Sequence, residues 1–478
     1  MASSAMAVML PTCAGAQTAN DAKPNTTGIE TIVVTAERRS ENLQKSSLQI
    51  SVLSGDELAK GGVTEPQDLN TVVSGLQLSM AGPVAQPYVR GVGNADNTGF
   101  AVSGLAFNLD GVYIAQPVAY TASMFDINRL EVLKGPQGTL YGRNATGGAI
   151  NIITNEPGDT FGGYLETDVN NYGLARLDGA ADLPVSDTLA MRAAFYVDDR
   201  SGYFKDGTGD DKSEGGRLKF KWDPNADLTV RLNLEYDHDG GDGPGAALDI
   251  GPTYNVPHPW EGMQGPNSIP YVLTSDPYAH PKLDENVYSV GGQIDWRQGD
   301  FTFTLIPNYR FVDFADVSYS DDQLFAMQSE HYSETTVEGR VAYDSDNFKW
   351  VGGLYFYNED QKMNWNFDFD YIHLYTRVPA LRTQSYAAFT QGTYSLTESF
   401  RVIAGVRYSH ELQDGHGSNQ YVSPPYGTLP YADSVASAAV NYKAGIEYDL
   451  APQNMVYANV STGYKAGGWF PSPSGPLR

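Results

Sequence analysis

The sequence predicts an all-β membrane body, an antiparallel transmembrane β-barrel wall, preceded by a small mixed α/β domain. Three observations predict it. From about Phe161 apolar and polar residues alternate with period two, which sets one face of each strand in an apolar medium and the other in a polar one. Short, turn-rich links then alternate without a break with long ones. A soluble sandwich has no reason to sort its connections this way, whereas a membrane barrel has tight turns at one rim and long loops at the other. Lastly, the 478 residues include 50 Gly and 31 Tyr, with aromatics at 12%, a composition of strands and turns rather than helices.

The elements follow in order. Residues 1–16, "MASSAMAVMLPTCAGA", are apolar and end in Ala14-Gly15-Ala16, the pattern of an export-signal cleavage site, although no basic residue precedes Lys23. Cys13 is the one cysteine, so no intramolecular disulfide forms, and cleavage after Ala16 leaves none. That suits an oxidising envelope. Residues 17–39 form a polar leader that ends in "TIVVTAERR", Thr31–Arg39. This stretch is too short for a helix and rich in β-formers. Two readings stay open on its residues alone, a first strand packed in the next domain or a handle held out for a partner.

Residues 40–157 read as the mixed domain. Ser54 is placed to cap a helix that Gly61-Gly62 stops, and Thr64 to cap a second that ends at Gly75. Short strand-like pieces follow, "QPYVRGVG", "LAFNLDGVYI", "RLEVLKG" and "GAINIIT", with glycines between most of them.

Residues 158–478 read as the wall. "LTVRLNLEY" sets Leu228, Val230, Leu232, Leu234 and Tyr236 on one face, and Thr229, Arg231, Asn233 and Glu235 on the other. "RLKFKW" does the same with Leu218, Phe220 and Trp222. Short links are expected at Pro184–Thr188, Asp223–Asp227, Gln298–Asp300, Asp344–Asn347, Leu396–Ser399 and Leu450–Asn454. Long ones are expected at Asp198–Gly215, Asp237–Glu285, Asp313–Glu330, Asn358–Leu381 and Glu411–Ser434. Pro307 interrupts a strand, a cost that a bulge would absorb.

Composition also excludes. A net charge of −26 argues against nucleic acid as a partner, since phosphate needs a basic surface. No run of about 18 apolar residues supplies a transmembrane helix, a test that a barrel escapes. There is no nucleophile elbow, zinc motif or phosphate loop, so no enzyme is expected. No cofactor or metal site is expected either, because the histidines lack ligand spacing.

The segment "RLEVLKGPQGTLYGRNATGGAINIITNEP", Arg129–Pro157, resembles the plug-domain signature of TonB-dependent outer-membrane receptors. "SGDELAKGGV", "YVRGVG" and "LDGVYIAQP" resemble the same family in the same order, and "AAFTQGTYSLTESFRVIAGVRYSHE" and "MVYANVSTGYKAGGW" resemble its barrel strands. The resemblance implies a mixed plug inside a barrel of 22 strands, of which about thirteen are present here. It implies that Thr31, Ile32, Val33, Val34, Thr35 and Ala36 are a TonB box, a strand offered to the sheet edge of a periplasmic TonB-type energy transducer. Arg90 and Arg143 match plug arginines that meet acidic residues of the barrel wall, a pairing a buried guanidinium requires.

The function implied is energised import of a scarce chelated nutrient, a ferric siderophore first, across the outer membrane of a Gram-negative cell. Outer-membrane lipid and lipopolysaccharide are the surroundings. Haem, cobalamin, another metal chelate or an oligosaccharide stay open as cargo. A passive porin or adhesin explains the strands but not the plug or the box. His258, Trp260, Tyr271 and Tyr278, in the Asp237–Glu285 link, are candidate extracellular ligand contacts beside the plainer reading of scattered loop residues. About thirteen strands end at "NMVYANVSTGYKAG", so a C-terminally truncated wall, roughly nine strands short of the family's ring, is expected.

Overall fold

The computed structural model describes residues 33–467, except 36, 40, 82–83, 95–101, 170–172, 174, 204–206, 244–281, 320–323, 370–371, 422–426 and 452–453. Two bodies share one core. The first is the mixed domain, with β1 (Val33–Val34) paired antiparallel to β2 (Glu41–Asn42) at its start. Its main sheet has the order β3-β9-β10-β7-β8, from β3 (Ile50–Ser54), β7 (Leu105–Leu109), β8 (Val112–Ile114), β9 (Ile127–Lys134) and β10 (Gly148–Thr154). β10 pairs parallel to β7, and the other pairs are antiparallel. A smaller sheet holds β4 (Leu76–Ala81), β5 (Val84–Val89) and β6 (Val92–Gly93).

Local signals explain the two helices, α1 (Gly55–Lys60) and α2 (Leu69–Val72). Ser54 caps α1 as expected: its hydroxyl oxygen accepts from the Glu57 N–H, and the Glu57 carboxylate accepts from the Ser54 N–H at 2.8 Å. Thr64 does not cap the second helix. Its N–H, like that of Glu65, donates to the Asp68 carboxylate at 3.0 Å. An acid downstream, rather than the hydroxyl upstream, satisfies that end.

The wall is one antiparallel sheet whose order follows the chain: β11 (Gly162–Val169), β12 (Ala175–Ser186), β13 (Leu189–Arg200), β14 (Asp211–Asn225), β15 (Leu228–Gly241), β16 (Lys282–Gln298), β17 (Phe301–Tyr319), β18 (Leu324–Asp344), β19 (Phe348–Phe369), β20 (Ile372–Ser395), β21 (Phe400–Tyr421), β22 (Gly427–Ala451) and β23 (Asn454–Ser461). Among the described residues β11 and β23 are not paired with each other, so the sheet has two edges. No helix among the described residues is long and apolar enough to cross a membrane.

Two expectations about the wall need correction. The expected links Asp313–Glu330, Asn358–Leu381 and Glu411–Ser434 are strand for most of their length. Beyond the lipid both faces of a strand meet water, so the alternation fades while the hydrogen-bond ladder continues. Pro307 is not absorbed by a bulge. The β16–β17 ladder pairs Gly291 with Asn308 and Ile294 with Leu305, in one unchanged register, and skips the pairs between. The missing N–H opens the ladder without adding a residue.

The outward face measures the membrane. Exposed or half-exposed aromatics recur eight residues apart on five strands: Tyr288 and Trp296, Phe301 and Tyr309, Phe348 and Phe356, Tyr386 and Tyr394, Phe400 and Tyr408. Eight residues span about 27 Å of strand, and at a tilt near 40° that is roughly 20 Å of height, close to the apolar band of an outer-membrane barrel. Along the short-turn rim the rings touch from strand to strand, Trp296 to Phe303 at 5.4 Å and Phe301 to Tyr343 at 4.9 Å. The inward face carries buried polar groups such as Glu235, Arg310, Glu334 and Arg407. Leu283, Val287, Val312 and Phe314 also lie inward and join the apolar core of the mixed domain beside Leu105, Phe107, Leu130 and Ile150.

Candidate functional site: the seam between plug and wall

The segment Val33–Arg39 is docked rather than free. Val34 is 1% exposed. The Thr35 N–H donates to Glu131 Oε1 at 2.9 Å, and Arg129 donates to the Thr35 hydroxyl at 3.2 Å. Both partners sit on β9. Then the chain reaches the wall. Glu37 meets Lys443 of β22 at 2.7 Å and Arg39 at 3.0 Å. Arg38 meets Glu338 of β18 at 3.3 Å, donates to the Gly111 carbonyl at 3.0 Å, and lies 5.0 Å over the Tyr141 ring. Burial pushes the Glu37 carboxyl up, but the Lys443 and Arg39 charges outweigh it and hold the group below the usual carboxylate range. Of the six expected box residues, Val33, Val34 and Thr35 are described, while Thr31, Ile32 and Ala36 lie outside the described residues.

Arg143 sits in the glycine-rich loop between β9 and β10. Its guanidinium lies 3.4 Å from Glu411 of β21 and stacks between Tyr357 at 4.6 Å and Tyr113 at 5.9 Å. Two further plug–wall bonds lie on β18 and β19: the Ala115 N–H donates to Glu334 at 3.2 Å and Gln116 to Glu359 at 3.1 Å. The loop's glycines permit this closeness. A Cβ on Gly142 (φ +76°) would stand 2.6 Å from the Arg407 guanidinium, and one on Gly138 would stand 2.6 Å from the Thr462 carbonyl oxygen. The segment after β23 turns onto this loop: the Gly138 N–H donates to the Thr462 carbonyl and the Asn144 N–H to that of Tyr464, both at 3.0 Å.

Arg90 is placed differently. It is exposed at the turn between β5 and β6, at φ 53°, and forms no ion pair with a wall carboxylate among the described residues. His258, Trp260, Tyr271 and Tyr278 lie outside the described residues. Among the described residues no group of three or more His, Cys, Asp or Glu is arranged to hold a metal.

A second seam, which sequence reasoning missed, joins plug acids to wall bases on β13–β15. Arg192 makes a bidentate pair with Asp126, Nη2–Oδ1 2.6 Å and Nε–Oδ2 2.8 Å. Lys219 reaches Asp110 at 2.9 Å and Glu156 at 3.3 Å. Arg231 meets Glu156 at 2.8 Å, and Arg217 donates to the Phe125 carbonyl at 3.0 Å. The one signal in the sequence is Asp110 ahead of Gly111, a turn pair; its wall partner lies a hundred residues on.

Residues 42–149 match the TonB-dependent receptor plug domain, and residues 320–476 match the TonB-dependent receptor-like β-barrel. The chain is similar to the pesticin receptor of Yersinia pestis, 27% identical over 482 aligned positions that cover 98% of this chain and 68% of that protein. It is also similar to the rhizobactin receptor of Rhizobium meliloti, 24% identical, covering 92% of this chain and 64% of that one. Among solved structures it resembles the ferric yersiniabactin uptake receptor FyuA of Yersinia pestis, with TM-score 0.79, 22% identity, and coverage of 90% of this chain and 67% of that one. The ferric-catecholate import receptor Fiu of E. coli, in its open form, gives TM-score 0.71, 16% identity, and coverage of 89% and 71%. With a plug, a strand wall and both family matches in place, the chain belongs to the TonB-dependent receptor family.

Proposed function

We propose that this chain serves TonB-dependent uptake of a ferric siderophore across the bacterial outer membrane. The observation that carries the reading is the form of the handle. Val33–Val34 is extended and, among the described residues, pairs with Glu41–Asn42. Once the docked segment is released, its extended backbone can pair with the edge of a partner's sheet, which is how a TonB-type transducer would grip Thr31–Ala36. The relatives named for pesticin, rhizobactin, yersiniabactin and ferric catecholates support iron chelates as cargo.

In this reading residues 1–16 direct export, residues 17–39 hold the box, residues 40–157 are the plug, and residues 158–478 contribute wall to a ring of 22 strands that encloses the plug. Arg143 secures the plug to the wall, and Arg90 is a second contact that the exposed turn does not support in this state. The long link with His258, Trp260, Tyr271 and Tyr278 faces the chelate, and lipid and lipopolysaccharide surround the aromatic band. No catalysis is proposed. The test is growth on a supplied ferric siderophore under iron limitation. Deleting Thr31–Ala36 is expected to abolish energised import and leave chelate binding intact. Import that survives the deletion refutes the reading.

A further inference from the structure

Negative charge is gathered at one rim of the wall. The five long-link segments, 198–215, 237–285, 313–330, 358–381 and 411–434, hold 26 acids and six bases. The rest of the chain, with 31 acids and 25 bases, is nearly balanced. A charge of −20 thus belongs to the long-link rim, out of −26 in all. An excess that served solubility alone has no reason to favour one rim. A rim of one sign raises the local concentration of opposite charge and steers a charged ligand towards it.

The charge continues inward. Asp239 of β15 and Glu285 of β16 are register partners, so their carboxylates stand directly opposite on one face. Like charges in that position destabilise a sheet. In the same row Glu285 and Glu330 of β18 flank Phe314 of β17. Glu285 lies on the inward face between Leu283 and Val287, both of which join the plug core. It is 2% exposed, and among the described residues its Oε1 has no hydrogen-bond donor. The inward bases of the neighbouring strands are engaged with other acids: Arg200 with Glu65 at 3.5 Å, Arg217 with Glu235 at 2.6 Å and Arg310 with Glu334 at 3.6 Å. The link from β15 to β16 holds no Lys or Arg from 242 to 281.

Glu285 lies three residues beyond Tyr288 on the long-link side, outside the apolar band. Burial and the Asp239 and Glu330 charges push its carboxyl well above the usual range. It therefore holds a proton until a cation takes the proton's place. A pair of carboxylates on adjacent strands suits an ammonium, which donates three hydrogen bonds and accepts none.

We propose that the cargo is a ferric chelate with net positive charge on an ammonium group, that the acidic rim gathers it, and that Asp239 and Glu285 receive the ammonium where plug and wall meet. This rests on the reading of the chain as a ferric-siderophore receptor and narrows the substrate class.

The experiment uses one ferric tris-hydroxamate in three forms that differ only at a terminal nitrogen: a free ammonium, an acetamide and a succinamic acid. Their charges are positive, neutral and negative. Equilibrium binding to the full chain in lipid nanodiscs is measured at about 0.01 M and about 1 M salt, where the screening length is about 30 Å and about 3 Å. At low salt the ammonium form is expected to bind at least about tenfold tighter than the anionic form, with the neutral form between them. High salt should screen the rim and narrow that gap, leaving a several-fold remainder from Asp239 and Glu285, which are shielded from solvent ions. E285Q resembles the protonated side chain in shape and hydrogen bonding, so the fold is kept, and the variant is expected to abolish the remainder. D239N is expected to reduce it. Equal binding of the three forms, tighter binding of the anionic form, no binding of the ammonium form, or a remainder that E285Q leaves unchanged overturns the proposal. Binding is read without a transducer, so the two readings fail separately. The expected charge order without iron uptake in cells overturns the uptake reading alone, and uptake in cells with no charge order in binding overturns this proposal alone.

Discussion

Removing the Glu37 carboxylate should free the handle. Glu37 and Lys443 are both nearly fully buried, and their charged atoms are 2.7 Å apart. Glu37→Gln leaves the Lys443 ammonium buried without its carboxylate, a loss of about 3–5 kcal/mol in docking, or roughly a hundred- to several-thousand-fold in the docked fraction. Lys443→Met should be milder, because Arg39 still lies 3.0 Å from Glu37. The double variant should cost less than the sum, since no charge is then stranded. Hydrogen exchange at the Val34 and Thr35 amides reads the docked state directly. Singles within twofold of the parent, or a strictly additive double, would refute the reasoning. The pH dependence has a fixed sign. Glu37 is held below its ordinary value, so its contribution is present above the unfolded carboxyl value of about 4.3 and is lost as pH falls through the folded one. Docking should therefore weaken below about pH 4.

Further outcomes are expected elsewhere. Arg143→Met strands Glu411 and removes a cation held between two rings, so protection of the glycine-rich loop should fall by about 3–5 kcal/mol in hydrogen exchange and largely return when Glu411→Gln is added. Burial and the neighbouring Asp211 charge outweigh Arg200 and push the Glu65 carboxyl up to about 8. Its penalty therefore grows as pH rises from about 4.5 towards 8, and the gain in melting temperature from Glu65→Gln should be larger at pH 8 than at pH 5. An equal gain at both would contradict the raised value. Leu232→Arg, in the outward band, should destabilise the wall in lipid by about 2–4 kcal/mol, and the lumen-facing Asn233→Arg by clearly less, read as denaturant midpoints.

Signals that act over a few residues were legible in the sequence. The Ser54–Glu57 cap, the tight turns and the period-two strands depend on neighbours, and the residues alone suggested about thirteen strands. The long links are shorter than expected, because alternation reports the medium on each face and not the ladder: β19 runs to Phe369 although its apolar face fades after Phe356. Thr64 and Asp68 competed for the same N–H groups, and propensity does not rank a hydroxyl against a carboxylate in that geometry. The seam was the least legible part. Arg90 and Arg143 are alike as residues, and only the fold sets one in an exposed turn and the other between two rings. Asp126 becomes an anchor because β13 brings Arg192 to it from 66 positions away.

The eight-residue interval between aromatic rings has a bearing on the surrounding lipid. A band of roughly 20 Å is about a third thinner than an average hydrocarbon core of about 30 Å. Acyl chains beside this wall must shorten or splay to meet the rings, at a modest cost per ångström of mismatch that accumulates along the sheet. That cost is smallest in a thin bilayer, such as the bacterial outer membrane, and larger in a thicker one. The spacing of Tyr288 from Trp296, repeated on four other strands, thus also acts as an address.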